Sequence, residues 1–346
     1  MKRFGKAMIV AGCMVVSGVI LGCIGNAIIY VSGETTKNDP VYEEKYYSIA
    51  ADEIDKIDLD MYSDDIKIEP GDGDEIEITY WDEVEEPKIQ ISERNGTLLI
   101  DKKTSGTFHL FYIPTFQDLF DAMDEDDAHE MTITVPQSYV GEYDLDIASG
   151  SIYMSELTVE GELIVYGTSG SITIEDVECM QDIRADITSG FLKLQNVEAQ
   201  GDYKSYLTSG NTQLEDMTVA GNFEVNFTSG SVNVTNVDVE GAATFENTSG
   251  GVSCDGFSAK EVYLNATSGD YDLTQVAVEE GIYLDATSGD FTISLSDKME
   301  NYSIDTDLTS GSCNLPQSYV NGEKRIWVSL TSGSAKFSFE GDADGK

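Results

Sequence analysis

Basic side chains are scarce in this 346-residue chain: 20 Lys and Arg stand against 64 Asp and Glu, a formal net charge of −44. Nucleic acid is held by Lys and Arg that neutralise phosphates, and anionic lipid by basic patches, so neither fits as a direct partner. Histidine is scarcer still, with only His109 and His129. Both precede the regular repeats described below, so the serines and threonines of those repeats have no base beside them to make a nucleophile. The 5 cysteines support no disulfide framework. Cys13 and Cys23 fall in an apolar stretch, and Cys179, Cys254 and Cys313 are solitary, without the short spacing of a zinc or redox motif. They read as small buried hydrophobes. An EF-hand loop and a glycine-aspartate calcium repeat are also missing. The acidity therefore reads as a solvated exterior, with loose binding of divalent cations to carboxylates as the alternative. No cofactor is expected.

One segment departs from this composition. "MKRFGKAMIVAGCMVVSGVILGCIGNAIIYVSG" carries Lys2, Arg3 and Lys6 and then no charge before Glu34. The apolar run is long enough for a helix across a hydrocarbon core of about 30 Å and exceeds the roughly 7–15 residues of a cleavable signal. "VAGC", ending at Cys13, has the form of a lipoprotein box, but too little apolar sequence precedes it and much follows. The expectation is a cytoplasmic tail over 1–6, an uncleaved transmembrane anchor over 7–32 and a linker over 33–45. Basic residues before the span place everything after it outside the membrane.

A triplet dominates the rest. Ala148-Ser149-Gly150 is followed by Thr-Ser-Gly ending in Ser169-Gly170, Ser189-Gly190, Ser209-Gly210, Ser229-Gly230, Ser249-Gly250, Ser268-Gly269, Ser288-Gly289, Ser310-Gly311 and Ser332-Gly333. The glycines are separated by 20, 20, 20, 20, 20, 19, 20, 22 and 22 residues, and a fixed period of this size marks a solenoid or array. Two residues after the glycine come Ile152, Ile172, Leu192, Thr212, Val232 and Val252; four after come Met154, Ile174, Leu194, Leu214, Val234 and Cys254. Alternation of period two means strand. Stacked coils would pair each strand with its copy at about 4.8 Å and close a core that no single coil could close.

The fold class is therefore all-β: a parallel β-solenoid (β-helix) of about ten 20-residue coils over 132–340, with a short tail over 341–346. The Ser-Gly pairs are expected to be structural corners, glycine giving backbone freedom and serine a small side chain that can bond free backbone groups. An ice-binding array of outward threonines does not fit, because the outward position after the corner reads Tyr153, Thr173, Lys193, Gln213, Asn233 and Ser253.

Residues 46–131 read as degenerate first coils. "IDLDMYSDDIKIEPGDGDEIEITY" alternates around Ser63-Asp64-Asp65 where a triplet would stand, and Asn95-Gly96 is a hairpin turn. "TFQDLFDAM" spaces Phe116, Leu119, Phe120 and Met123 as an amphipathic helix near 115–123. It would plug one end of the solenoid, with partner docking, or cation binding by Asp124, Glu125, Asp126 and Asp127, as alternatives. "VPQSYV" at 135–140 recurs as "LPQSYV" at 315–320.

The ordered set of basic start, single apolar span, opening strand pair, "GTLLI", "MTITVPQSYVGEYDLDIASGSIYM" and triplet coils resembles the DUF4097 family of bacterial envelope proteins, which are labelled adhesins. The resemblance covers nearly all of residues 46–340 and implies a β-solenoid displayed at the cell surface, with no catalytic or ligand residues to carry over. The acidic insert at 124–130 departs from it. The expected function is a non-catalytic, membrane-anchored surface scaffold or adhesin meeting the membrane through its N-terminal helix and binding cell-wall glycan or a surface protein. An envelope sensor ectodomain with a membrane partner is the second reading, and a polysaccharide-active β-helix enzyme the third.

Overall fold

The computed structural model describes residues 40–102 and 130–340. The expected anchor at 7–32, the helix near 115–123 and the tail at 341–346 lie outside these residues. Among the described residues no helix is long and apolar enough to cross a membrane. The chain divides into two compact units. In the smaller one the described residues are 40–43 and 83–87, joined by the Val84 N–H donating to the Val41 carbonyl at 2.9 Å. The larger unit, Glu44–Asp82, Lys88–Lys103 and His129–Lys346, holds the solenoid.

One coil shows how the sequence builds it. Tyr203–Leu207 is a strand whose alternate residues Tyr203, Ser205 and Leu207 point inward. Thr208-Ser209-Gly210 turns the chain, and Asn211–Val219 continues with Thr212, Leu214, Met217 and Val219 inward. Two outward residues, Glu215 and Asp216, separate Leu214 from Met217, so the strand bends there. The bend is a left-handed residue: Asp216 has φ 52°. It recurs six residues after each of the first seven triplet glycines, at Glu156, Asp176, Asn196, Asp216, Asn236 and Gln275, all with φ between 52° and 58°, and at Gly256 with φ 74°. Each coil thus has three sides: a first after the triplet, a short second after the left-handed residue, and a third before the next triplet. Asn and Asp tolerate this region because their short side chains bond locally. Here they also bond between coils, Asn236 Nδ2 donating to Asp216 Oδ1 at 3.0 Å and Asn196 Nδ2 to Asp176 Oδ1.

Successive coils pair in parallel at a shift of one repeat, Leu194 opposite Leu214 and Tyr203 opposite Phe223. Inward columns fuse into one continuous core. Stacked rings fill its middle, Tyr203 on Phe223 at 5.1 Å and Phe223 near Phe245 and Phe257 at 5.5 and 5.7 Å. The ladder does not stop at the corner: the Ser209 N–H donates to Thr188 O at 2.7 Å and Ser229 N–H to Thr208 O at 3.0 Å. The triplet glycines form a column of close approach. A Cβ on Gly230 would lie 2.0 Å from Gly210 O, and one on Gly190 2.3 Å from Gly170 O. Gly230 also has φ 121°, whereas Gly190 has no left-handed φ, so contact between coils demands glycine more generally than backbone freedom does.

The order of coils departs from the sequence at both ends. Tyr283 and Leu284 pair with Trp327 and Val328, and Trp327 and Val328 pair on their other side with Asp305 and Thr306. The coil carrying Gly333 is thus inserted between those carrying Gly289 and Gly311, and the Gly311 coil is outermost. The near-equal spacing of 22 residues on each side of Gly311 conceals this reversal. At the other end Lys56–Gly71 lies between Glu142–Val159 and an outermost layer made by Thr97–Lys102 and Glu130–Pro136. Ser63-Asp64-Asp65 stands in register with Ser149-Gly150-Ser151. Antiparallel strands then cover the outer edges: Ile89–Arg94 on Thr97–Lys102 through the Asn95-Gly96 turn, and residues 77–79 on 132–134. At the far end Ser318-Tyr319 lies antiparallel to Ile304-Asp305. Unpaired strand edges recruit other chains, and both ends are blunted by the same means.

Candidate ligand-binding face

The inward columns explain the fold, so any site must be built from outward ones. On the third side these stand six and four residues before the triplet glycine. The first column runs Asp144, Ile164, Arg184, Lys204, Glu224, Thr244, Tyr263, Tyr283 and Trp327; the second runs Asp146, Tyr166, Asp186, Tyr206, Asn226, Glu246, Asn265 and Asp285. Parallel register puts each residue directly beside its equivalents in the neighbouring coils.

Near the middle, Arg184 lies between two aromatic rings, 6.0 Å from the centroid of Tyr166 and 5.7 Å from that of Tyr206. Its Nη2 and Nε donate to Asp186 Oδ2 at 2.7 and 3.2 Å. Exposed cation–π contacts are worth about 0.5–1 kcal/mol each, so the guanidinium is held from three sides while staying accessible. Tyr206 is 41% exposed. Beside this sandwich an open groove of about 780 Å³ is lined by Tyr166, Asp186, Tyr206, Asn226 and Glu246 and by the threonines of the triplets. It crosses seven coils, from Asp146 to Thr267, which is about 29 Å at the strand spacing. One acceptor of the lining, Asp186 Oδ1, is shielded from solvent and has no hydrogen-bond partner within the protein. A buried acceptor left unpaired costs about 1–3 kcal/mol.

At the groove's early end the acids crowd. Asp58 pairs in register with Asp144, and Asp60 with Asp146. Burial, and then the neighbouring carboxylates, hold the carboxyls of Asp58 and Asp146 above the usual range. Lys56 offsets part of this by pairing with Glu142 at 2.8 Å and Asp144 at 3.0 Å. Among the described residues no group of three or more His, Cys, Asp or Glu is arranged to hold a metal ion.

The triplet serines and glycines form one column along the groove's rim. Ser209 Oγ lies 3.2 Å from Ser229 Oγ, and the hydroxyls of Ser149 and Ser229 donate to the carbonyls of Tyr62 and Thr208 at 3.2 and 3.3 Å. Their neighbours are backbone and one another, and no histidine lies among the described residues. Cys179 and Cys254 are buried free thiols, pushed up by burial. The aromatic and cationic residues of the third side were not singled out from the sequence. Writing the repeats out six residues before the glycine exposes them, because Arg184, Tyr263, Tyr283 and Trp327 then fall in one column.

The family model Toastrack DUF4097 matches residues 54–221 and again residues 180–338. The chain belongs to this family. The two matches overlap over 180–221, as a periodic sequence allows. Among solved structures, the chain is similar to a "putative adhesin" of Bacteroides fragilis, at 15% identity over 86% of this chain and 99% of the other with a TM-score of 0.34. A "putative adhesin" of Parabacteroides merdae matches at 14% identity over 86% of this chain and 96% of the other, TM-score 0.44. A "putative lipid binding protein" of Parabacteroides distasonis matches at 13% identity over 87% and 98%, TM-score 0.38. No curated protein matches the chain.

Proposed function

We propose that this DUF4097 protein is a non-catalytic binding scaffold, held at the cell surface by the apolar segment at 7–32 and presenting the third side of its solenoid to an extended ligand. The carrying observation is the groove across seven coils, lined by the outward Tyr166, Tyr206 and Asn226, with the Arg184 sandwich beside it. Rigid aromatic and guanidinium groups lose little entropy when a ligand docks, and Tyr and Arg are the residues that most often anchor an interface. A net charge of −44 disfavours nucleic acid and anionic lipid and is compatible with cell-wall glycan or a surface protein. The test is cosedimentation of the full chain, in mild detergent, with purified cell-wall sacculi and with whole cells, in calcium or chelator. Saturable, competable binding that falls about tenfold in Arg184→Ala or Tyr206→Ala supports the reading. Absence of binding to either target contradicts it.

A further inference from the structure

The far end of the stack is finished by one side chain. Ser334–Ser338, the first-side strand of the inserted coil, is paired along its inner edge with residues 290–294. Among the described residues, main chain covers its outer edge only at Ser334 and Ala335, which face Ser312 and Cys313. The Ser312 N–H donates to Gly333 O at 3.0 Å and the Asn314 N–H to Ala335 O at 3.3 Å. The chain then leaves this ladder through Leu315-Pro316 and closes the third side. There the Thr306 N–H donates to Gln317 O at 3.0 Å, and Ser318-Tyr319 lies against Ile304-Asp305. One segment cannot finish both sides with main chain. On the first side the next rung is made by the Asn314 amide: Nδ2 donates to Phe337 O at 2.7 Å, and Oδ1 accepts from the Phe337 N–H at 2.8 Å. A carboxamide carries the donor and the acceptor of a peptide group, so it takes both backbone groups of Phe337 as a neighbouring strand would.

The duplicated sequence word supplies a comparison. Asn314 stands immediately before "LPQSYV", and Thr134 immediately before "VPQSYV". Thr134 needs no amide, because it pairs with Glu69 on one side and with Glu77 of an antiparallel strand on the other. The asparagine stands where no outer strand follows. Backbone N–H and C=O groups are obligatory hydrogen-bonding groups, and an open edge that presents them is a template for another chain. Without the amide, Phe337 would offer an N–H and a C=O side by side. Two such edges related by a two-fold axis satisfy each other: directly opposed residues of an antiparallel pair exchange both bonds, and a two-fold contact uses the same patch twice. We infer that Asn314 is a built-in stop, its amide holding the place that a strand of a second copy would take and so masking a self-association site at the far end. The site is the outer edge of Ser334–Ser338 around Phe337, and it is independent of the ligand face on the third side.

The test combines amide hydrogen exchange with sedimentation velocity on the full chain in mild detergent. Asn314 is exposed, so replacing it leaves the core in place. In dilute Asn314→Ala the Phe337 N–H should exchange at least about tenfold faster than in the parent, as loss of one hydrogen bond allows. The Val225 N–H, in a strand paired on both sides, should keep its rate. As concentration rises, the sedimentation coefficient of Asn314→Ala should climb above the parent's and protection of the Phe337 N–H should return, because the second copy's strand replaces the amide. Asn314→Asp keeps an acceptor for that N–H but sets a charge on the edge, which blunts pairing, and it should associate no more than the parent. Unchanged Phe337 exchange in dilute Asn314→Ala overturns the inference. So does faster exchange without added association, association without returning protection at Phe337, or equal association by the alanine and aspartate variants.

Discussion

The middle of the solenoid and its two ends solve the same packing problem under different constraints. From Tyr143 to Val278 every coil is followed in space by the coil that follows it in sequence. Each position then sees the same neighbour, and one kind of residue recurs down a column: glycine at the triplet, and mostly Ile, Leu or Val two and four residues later, with Thr212, Met154, Cys254 and Tyr271 among the exceptions. At the ends a coil has one neighbour and one open edge. The chain there runs to the outermost layer and returns, inserting Lys324–Leu330 on the inner side of Tyr302–Leu308 and setting antiparallel strands on the outside. Regular stacking builds the rod, whereas irregular crossing finishes it. The duplicated word "PQSYV" follows the outermost coil at both ends, yet it acts differently. Tyr139 N–H closes a turn onto Pro136 O at 2.8 Å, while Tyr319 pairs antiparallel with Ile304.

The comparison can be broken first at the glycine column. Gly230 is left-handed, and a Cβ there would meet Gly210 O at 2.0 Å. At Gly311, in the outermost coil, φ is not left-handed and the nearest atoms would stand 3.2 Å away. Gly230→Ala should cost about 3 kcal/mol from combined strain and overpacking, and Gly311→Ala less than about 1 kcal/mol, measured by denaturant unfolding. Similar losses at the two sites would deny that coil contact sets the glycine.

A smaller effect is expected at the left-handed column. Asn236→Ala removes the bond to Asp216 and leaves a Cβ in a region that costs about 1–2 kcal/mol, whereas Asn236→Gly should stay within about 0.5 kcal/mol of the parent. Equal destabilisation by both would show that the side-chain ladder, not the backbone, carries the corner.

The smallest effect is electrostatic and belongs to the early end. Asp58 and Asp146 have folded-state carboxyls raised by burial and by neighbouring acids. The folded state holds their protons more tightly than the unfolded chain does, so they oppose folding at neutral pH, and this penalty is relieved as pH falls through the raised folded value. Asp146→Asn should raise Tm at pH 7 by about 1 °C, with the gain shrinking as pH falls through the raised folded value and in high salt. A loss of stability at pH 7 would mean that Asp146 makes a favourable contact outweighing the repulsion.

Much of the fold was legible because the repeat places like residues at like positions. The triplet, the two apolar columns after it and the degenerate Ser63-Asp64-Asp65 all sit where the periodicity put them. The left-handed corner was hidden because Glu156 and Gln275 hold it as well as Asp and Asn do, and neither is a turn residue. The reversed end was hidden because the same triplet and nearly the same spacing serve a coil stacked out of order. The candidate face escaped because inward columns are marked by hydrophobicity, whereas Arg184 and Tyr283 share only a position six residues before the glycine and Tyr206 stands in the column two residues later. A bound ligand, unlike a core, imposes no period.

The reversed coil order is the claim on which the end caps depend, and cysteine pairs in a background lacking native cysteines test it directly. Asp285 faces Ser329, which in turn faces Asp307 on its far side. Adjacent positions lie about 4.8 Å apart and alternate ones about 9.6 Å, and a disulfide spans Cα separations of roughly 4.4–6.8 Å. Asp285→Cys with Ser329→Cys should crosslink on mild oxidation and Asp285→Cys with Asp307→Cys should not. The opposite pattern would restore sequence order to the stack and contradict the account.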